Sequence, residues 1–444
     1  MASIPTYRGR FGPEQARRLL WRAGFGPRRG ESERLARMSL DRAVESLTRP
    51  RSRRLVGPKP RDEDGRPLAP RDAWGHDHCW WLDRMVRSRA PLVERMTLVW
   101  HDWFATSKGG GPTQQLMLRQ NAMLRRHALG SFADLARDVT RDPAMLLWLN
   151  GVDNTKWDVN ENYARELMEL FTLGAGRGYN ERDVREMARA LTGFRYTWSE
   201  GIGPHGFRRD RESEDRGVKR IHGKRGRFDW QDAVQLSVRH RMHPSFMVEK
   251  LWSYFIPTPP PARTARALAR LYVRSGRRVR PVLEAILKHP HLYDPGRRMV
   301  KPPVVQAAGM LRAVGRGVDT TAWSWLCDQA GQMLFLPPNV AGWDDEHWID
   351  TGTFKARWNM AIEICSHDQL EDAKSPARAP ELVRRAQRFW DGTPLSPATR
   401  RSLEKYARTA LATADEEWKR EAYPPLIENA LRMLIAVSPD YLTS

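Results

Sequence analysis

Apolar residues recur along this chain every three or four positions, broken by proline, glycine and short polar residues, so helices are predicted almost throughout. The spacing predicts helices over 11–24 (Leu19, Leu20 and Ala23 inward), 31–47 (Leu35, Met38, Val44, Leu47), 74–89, 92–107, 113–128, 131–141 and 144–149. It continues over 181–191, 230–239, 245–256, 262–275, 279–288, 303–314 and 320–334, with four more helices between 355 and 437. Ser131, Asp142 before Pro143, and Asn180 with Asp183 read as helix N-caps. No heptad run or internal repeat emerges. The expected fold class is all-α, a large multi-helix body with long irregular loops and little or no sheet.

Three stretches break the period. Residues 49–72 mix five prolines and two glycines with dense charge, which reads as a linker or surface loop between an N-terminal helical segment (1–48) and a main body (73–444). Residues 195–230 are glycine-punctuated and strongly basic, the pattern of a lid, a binding loop or a disordered segment. Residues 336–354 are too rich in proline and aromatics to be regular. They are expected to form an ordered loop pinned by Trp343 and Trp348, whose rings could also stack on a ligand.

The stretch Asn160 to Gly174 has the most specified polar face. At 100° per residue, Tyr163, Leu167, Leu170 and Phe171 form one apolar stripe, while Glu161, Arg165 and Glu169 fall opposite as an ion ladder. Glu166 lies at the border of the stripe, where packing would desolvate its carboxylate and raise its pKa. The 92–107 helix is apolar almost all round and therefore buried, yet His101 and Asp102 interrupt it and must find partners. These positions give the candidate catalytic set His101, Asp102 and Glu166. Asn160, Asn162, Arg165, Asp215, Lys219, Trp343 and Trp348 are the candidate binding residues. For each, the competing reading is structural: a satisfied buried histidine, a solvated ladder, a loop anchor.

Composition adjusts this picture in two places. Of the 444 residues, 41% are hydrophobic and 29% charged, an ordinary globular balance, but the net charge is +21 and 62 of the 74 basic residues are arginine. The arginines are dispersed, so the charge favours at most nonspecific polyanion affinity and no sequence-specific nucleic-acid reading. The three cysteines, Cys79, Cys327 and Cys365, lack the spacing of a disulfide framework or zinc site. His240 and His243 precede or adjoin Pro244 with no third ligand nearby, and read as loop histidines. Gly109–Gly111 and Gly174, Gly176 and Gly178 lack the strand frame of phosphate-binding loops. No metal and no cofactor is expected. The N-terminus lacks an apolar core of signal-peptide length and no run approaches a membrane span, which leads to the expectation of a cytoplasmic protein.

The blocks Leu20–Gly26, Trp100–Ser107, Asn160–Gly174, Asp183–Gly193, Lys250–Trp252, Lys301–Pro303 and Pro337–Trp343 together resemble the bacterial family catalogued as domain of unknown function 1800, in its actinobacterial branch. The resemblance covers nearly the whole chain and implies a helical fold, with no established activity, cofactor or catalytic residue. It implies a partner, because many relatives are exported and encoded beside a sulfatase-like family. Many relatives also show histidine at the positions of Trp103, Phe171 and Glu214. A site built on those histidines would here be reduced to His101, Asp102, Glu166, Asp215 and Lys219.

Three function classes stay open: a binding or accessory protein acting with a protein partner, a hydrolase-type enzyme with a His/carboxylate cleft, and a nonspecific polyanion binder. A concave pocket where His101, Asp102 and Glu166 converge would favour the enzyme.

Overall fold

The helix Pro91–Trp103 is the hub of the packing, because apolar side chains occupy nearly its whole circumference. Its Leu92, Val99, Trp100 and Trp103 belong to one buried cluster, which also takes in Leu167, Phe171, Met187, Leu251 and Val282. Leu98, on another side, belongs to a second cluster with Trp81, Val304, Trp323, Leu334 and Leu431. Each buried tryptophan removes roughly 150–250 Å² of ring surface from water, so the two aromatic-rich cores carry much of the stability. The computed structural model describes residues 4–367 and 378–444. Residues 368–377, inside the stretch where helices were expected after 355, lie outside the described residues.

The described residues are predominantly helical. The caps read from sequence are in place: Ser131, Asp142 and Asn180 accept from the backbone N–H of Asp134, Met145 and Asp183. The expected helix over 31–47 is two, Glu31–Ala36 and Leu40–Thr48, because Ser39 starts a new helix by accepting from Arg42 N at 3.3 Å. The N-terminal helices pack on distant chain. Buried Arg22 donates to the carbonyls of Phe255 (2.5 Å), Arg297 (2.8 Å) and Ser444 (3.2 Å).

The 195–230 stretch is more ordered than the expected irregular loop. It holds two antiparallel hairpins, Phe194–Ser199 with Gly203–Arg209 and Lys219–Ile221 with Lys224–Gly226. Sequence patterning misses them because the strands are short and basic without clean alternation, and the turns do the specifying. His222 and Gly223 both have positive φ, as a two-residue hairpin turn requires.

The 160–174 segment is also different from the uniform α-helix expected. It is α-helical over Asn162–Glu166 and then widens to a π-helix over Leu167–Thr172. The wider turn moves Met168 fully inside and leaves Leu170 half-buried, the reverse of the α-periodic stripe. Its cause is visible at the carbonyl end. Leu170 O accepts from Lys250 Nζ (3.1 Å), Phe171 O from Trp103 Nε1 (3.0 Å), and Thr172 O bonds His243 Nδ1 (2.8 Å). Three side chains from two other helices thus satisfy carbonyls that an ordinary helix end would leave to water. His243, expected in a loop, opens the helix His243–Ser253, and its Nε2 bonds Tyr272 Oη at 2.9 Å. No described helix is long and apolar enough to cross a membrane.

Candidate functional site

Along the Pro91–Trp103 helix, Arg95, Leu98, Val99 and Asp102 stand at i, i+3, i+4 and i+7, one stripe of the helix surface. Opposite them, Lys250, Ser253 and Tyr254 form the matching i, i+3, i+4 set at the end of the His243–Ser253 helix. Between the two stripes lies a cavity of about 200 Å³. Trp343 and Trp348 close it from the 336–354 loop, and Pro302 and Gln332 from the side of the second core. The cavity therefore sits on the seam between the two hydrophobic clusters. Four segments far apart in sequence, around residues 102, 250, 302 and 343, meet there.

Asp102 organises it. Its Oδ2 accepts from the Tyr254 hydroxyl at 2.6 Å and its Oδ1 from the Trp343 backbone N–H at 2.9 Å. Burial raises the Asp102 pKa, opposed by these two donors and by the charge of Lys250. Burial likewise pushes the Tyr254 phenol well above its ordinary value, reinforced by the Asp102 charge. The loop is fitted to this carboxylate. Gly342 has φ +98°, and a Cβ there would overlap Asp102 Oδ1. Arg357 ties down the other end of the loop by donating to Trp348 O (3.0 Å) and to Lys301 O (3.0 Å).

Two cations share the cavity. Lys250 lies with Nζ 4.7 Å from the Trp103 ring centroid and donates one proton to the π-helix carbonyl of Leu170. Desolvation lowers its pKa to about 8, with Asp102 opposing the fall. Arg95 is 4% exposed and makes no hydrogen bond or ion pair among the described residues, its Nε and Nη1 being fully enclosed.

The sequence candidates do not gather in one place. Asp102, Trp343 and Trp348 line the cavity. His101 does not. It is buried behind Trp343, packed edge-on against Trp81 (5.3 Å) and Phe335 (5.7 Å) and tilted against Trp343 (5.4 Å). Desolvation alone depresses its pKa to about 3, and Nε2 has no partner. Glu166 is also outside the cavity wall; it is half-buried and without a hydrogen bond among the described residues, with its pKa raised by desolvation and then by Glu169. Another group lies at the surface near the start of the 160–174 segment. Arg165 pairs with Glu181 (2.8 Å) and Glu161 (3.2 Å), Asn160 N donates to Asn154 Oδ1 (3.1 Å), and Asn162 Nδ2 to Asn150 Oδ1 (3.2 Å). A further group forms a clasp under the second hairpin. Asp215 takes Arg189 at 2.7 Å, and buried Lys219 donates to the carbonyls of Asp215 (2.6 Å) and Gly217 (3.1 Å).

Trp103 and Phe171, two of the positions that the resemblance links to histidine, adjoin through the Trp103 Nε1 to Phe171 O bond. Glu214, the third, pairs with Arg209 at 2.6 Å. Among the described residues no group of three or more histidine, cysteine or acidic side chains is placed to hold a metal ion.

Sequence reasoning passed over Arg95, Lys250 and Tyr254 as site residues. Arg95 carried a usable signal, an arginine in a helix apolar on every side. Lys250 and Tyr254 carried none that could link them to Asp102 across some 150 residues.

The family described as "Protein of unknown function (DUF1800)" matches residues 18–443. The chain belongs to the DUF1800 family. No curated protein and no solved structure matches it. Within this DUF1800 chain the match runs from the first helix, through every residue of the cavity, almost to the last.

Proposed function

We propose that the cavity is an active site and that this chain is a hydrolase-type enzyme acting on a small molecule. The observation supporting the reading is Asp102: a desolvated carboxylate, fixed from two sides, at the wall of a concave space that also holds a lysine of lowered pKa. Water entering the cavity would give a proton to Asp102 as it attacks an acyl or similar centre. The Lys250 ammonium, with two N–H donors beyond its bond to Leu170, would stabilise the developing oxyanion and protonate the leaving group. Tyr254 orients Asp102, and the 336–354 loop excludes bulk water. The cavity lies below the ~300–1,000 Å³ of drug-sized sites, so the substrate portion it encloses is small.

The experiment is a panel of p-nitrophenyl carboxylic, phosphoric and sulfuric esters, with the wild type and Asp102→Asn assayed side by side. The reading requires turnover of at least one class and a fall of about 10²-fold or more in Asp102→Asn. Turnover of none, or turnover indifferent to Asp102, contradicts it.

A second reading, an accessory role with a protein partner such as the sulfatase-like neighbour of relatives, has one feature in its favour. The tip of the first hairpin exposes Trp198 (63%) and Ile202 (69%) to solvent. Co-purification with that neighbour, lost in a Trp198→Ser, Ile202→Ser double variant, would support it.

A further inference from the structure

The fold buries several guanidinium groups, and their surroundings differ in one respect. Arg22 is answered by three backbone carbonyls, Arg357 by two carbonyls and the Gln306 side chain, and Arg312 by the carbonyls of Gly26 and Val86 and by Glu31. Arg95, also buried, makes no hydrogen bond among the described residues, and Asp102 and Tyr254 act on it only through space. Its nearest acid in the cavity, Asp102, already accepts from Tyr254 and Trp343. Desolvation lowers the Arg95 pKa only to about 10, so the group stays charged at neutral pH. A buried, unpaired cation is among the least favourable arrangements a fold can hold, and removing such a charge usually stabilises. It persists where the missing partner arrives from outside. Nε and Nη1 are enclosed, so the donor left to the cavity is Nη2, whose N–H groups suit the oxygen of a carboxylate or a phosphate-type group.

The rest of the cavity narrows the ligand. Asp102 and Asp345, the two acids of the lining, would repel a second anion at their end, while Lys250 and the Tyr254 edge face a polar, uncharged portion there. The rings of Trp343 and Trp348 flank the middle. Resting on the reading of this cavity as the functional site, we infer that its ligand is a small molecule carrying one terminal oxyanion, a carboxylate or a phosphate-type group, seated on Arg95, with its other end toward Asp102 and Lys250.

The test is thermal denaturation of the full chain, wild type and Arg95→Met, in chloride, acetate or inorganic phosphate at matched ionic strength. Arg388→Met, in an open groove that shares no lining residue with this cavity, controls for the general anion affinity of a +21 protein. Expected is a rise on the order of a few degrees for wild type and Arg388→Met in one of the two oxyanions over chloride; acetate as the stronger assigns a carboxylate, and phosphate a phosphate-type group. Arg95→Met should lose that rise and, in chloride, melt at or above wild type. The inference is overturned if neither oxyanion acts on wild type, if Arg95→Met keeps the rise, or if Arg95→Met melts well below wild type in chloride, which would make Arg95 a structural residue. The catalytic reading fails separately, by ester turnover that ignores Asp102, even when the anion response through Arg95 holds.

Discussion

The Tyr254 hydroxyl donates to Asp102 Oδ2 at 2.6 Å, joining the end of one helix to the last turn of another across 152 residues of sequence. That bond, with the Trp343 N–H on the other oxygen, fixes the carboxylate in the wall of a cavity. Everything proposed about function depends on this placement.

The loop that closes the cavity can approach Asp102 only because residue 342 is glycine. Gly342 combines φ +98° with direct apposition to Asp102, so Gly342→Ala meets both backbone strain and overlap with the carboxylate. A loss of roughly 1–3 kcal/mol is expected in denaturant melts, with a change in tryptophan fluorescence as Trp343 moves. A variant within 0.5 kcal/mol of wild type would show that the loop does not bear on Asp102.

Three acids of the 161–169 region should behave differently from one another. Glu161→Gln loses exposed ion pairs with Arg165 and Arg185, and Glu169→Gln a 3.3 Å bond from Tyr179, each under ~1 kcal/mol. Glu166 has a raised pKa and no donor, so its charged form is disfavoured in the fold and stability falls as pH rises past its ordinary 4.5. Glu166→Gln should therefore be neutral or slightly stabilising at pH 7, by under ~1 kcal/mol after solvent screening. A substantial loss on urea titration would reveal a donor and return Glu166 to the list of functional candidates.

His101 gives a pH signature. Its folded-state pKa is depressed to about 3 against an ordinary 6.5, so its contribution is whole above pH 6.5 and is lost as pH falls, when the unfolded chain takes up the proton. The loss is about 1.4 kcal/mol per pH unit across that window. Asp83 and Asp142, raised to about 6, act in the opposite sense, so the comparison must be with His101→Phe and not with the absolute profile. From pH 6.5 to 5 the wild type should lose ~2 kcal/mol relative to that variant. Parallel profiles would mean that the ring is protonated in the fold.

The helical body was legible in the sequence because burial in a helix writes its own period, and the caps at Ser131, Asp142 and Asn180 were legible because their side chains bond locally. Asp102 was legible as a polar residue in an apolar helix. The π-helix was not: Leu167 to Thr172 follow an α-helical pattern, and what widens the turn are donors from Trp103, Lys250 and His243, remote in sequence. The same remoteness hid the cavity. Adjacency along the chain groups His101 with Asp102, and position on a helix face adds Glu166, whereas the fold turns His101 into the aromatic core and brings Lys250, Tyr254 and Trp343 to Asp102.

The most direct test of the cavity as a charged, preorganised site needs no substrate: titrate Lys250 by NMR after isotopic dimethylation, in wild type and in Asp102→Asn, assigning its signal by loss in Lys250→Arg. Lys250 should titrate near 8, well below the ordinary 10.5, and lower still in Asp102→Asn, because Asp102 is the opposing charge that supports its protonated form. A Lys250 that titrates near 10.5 and ignores Asp102 would contradict the account.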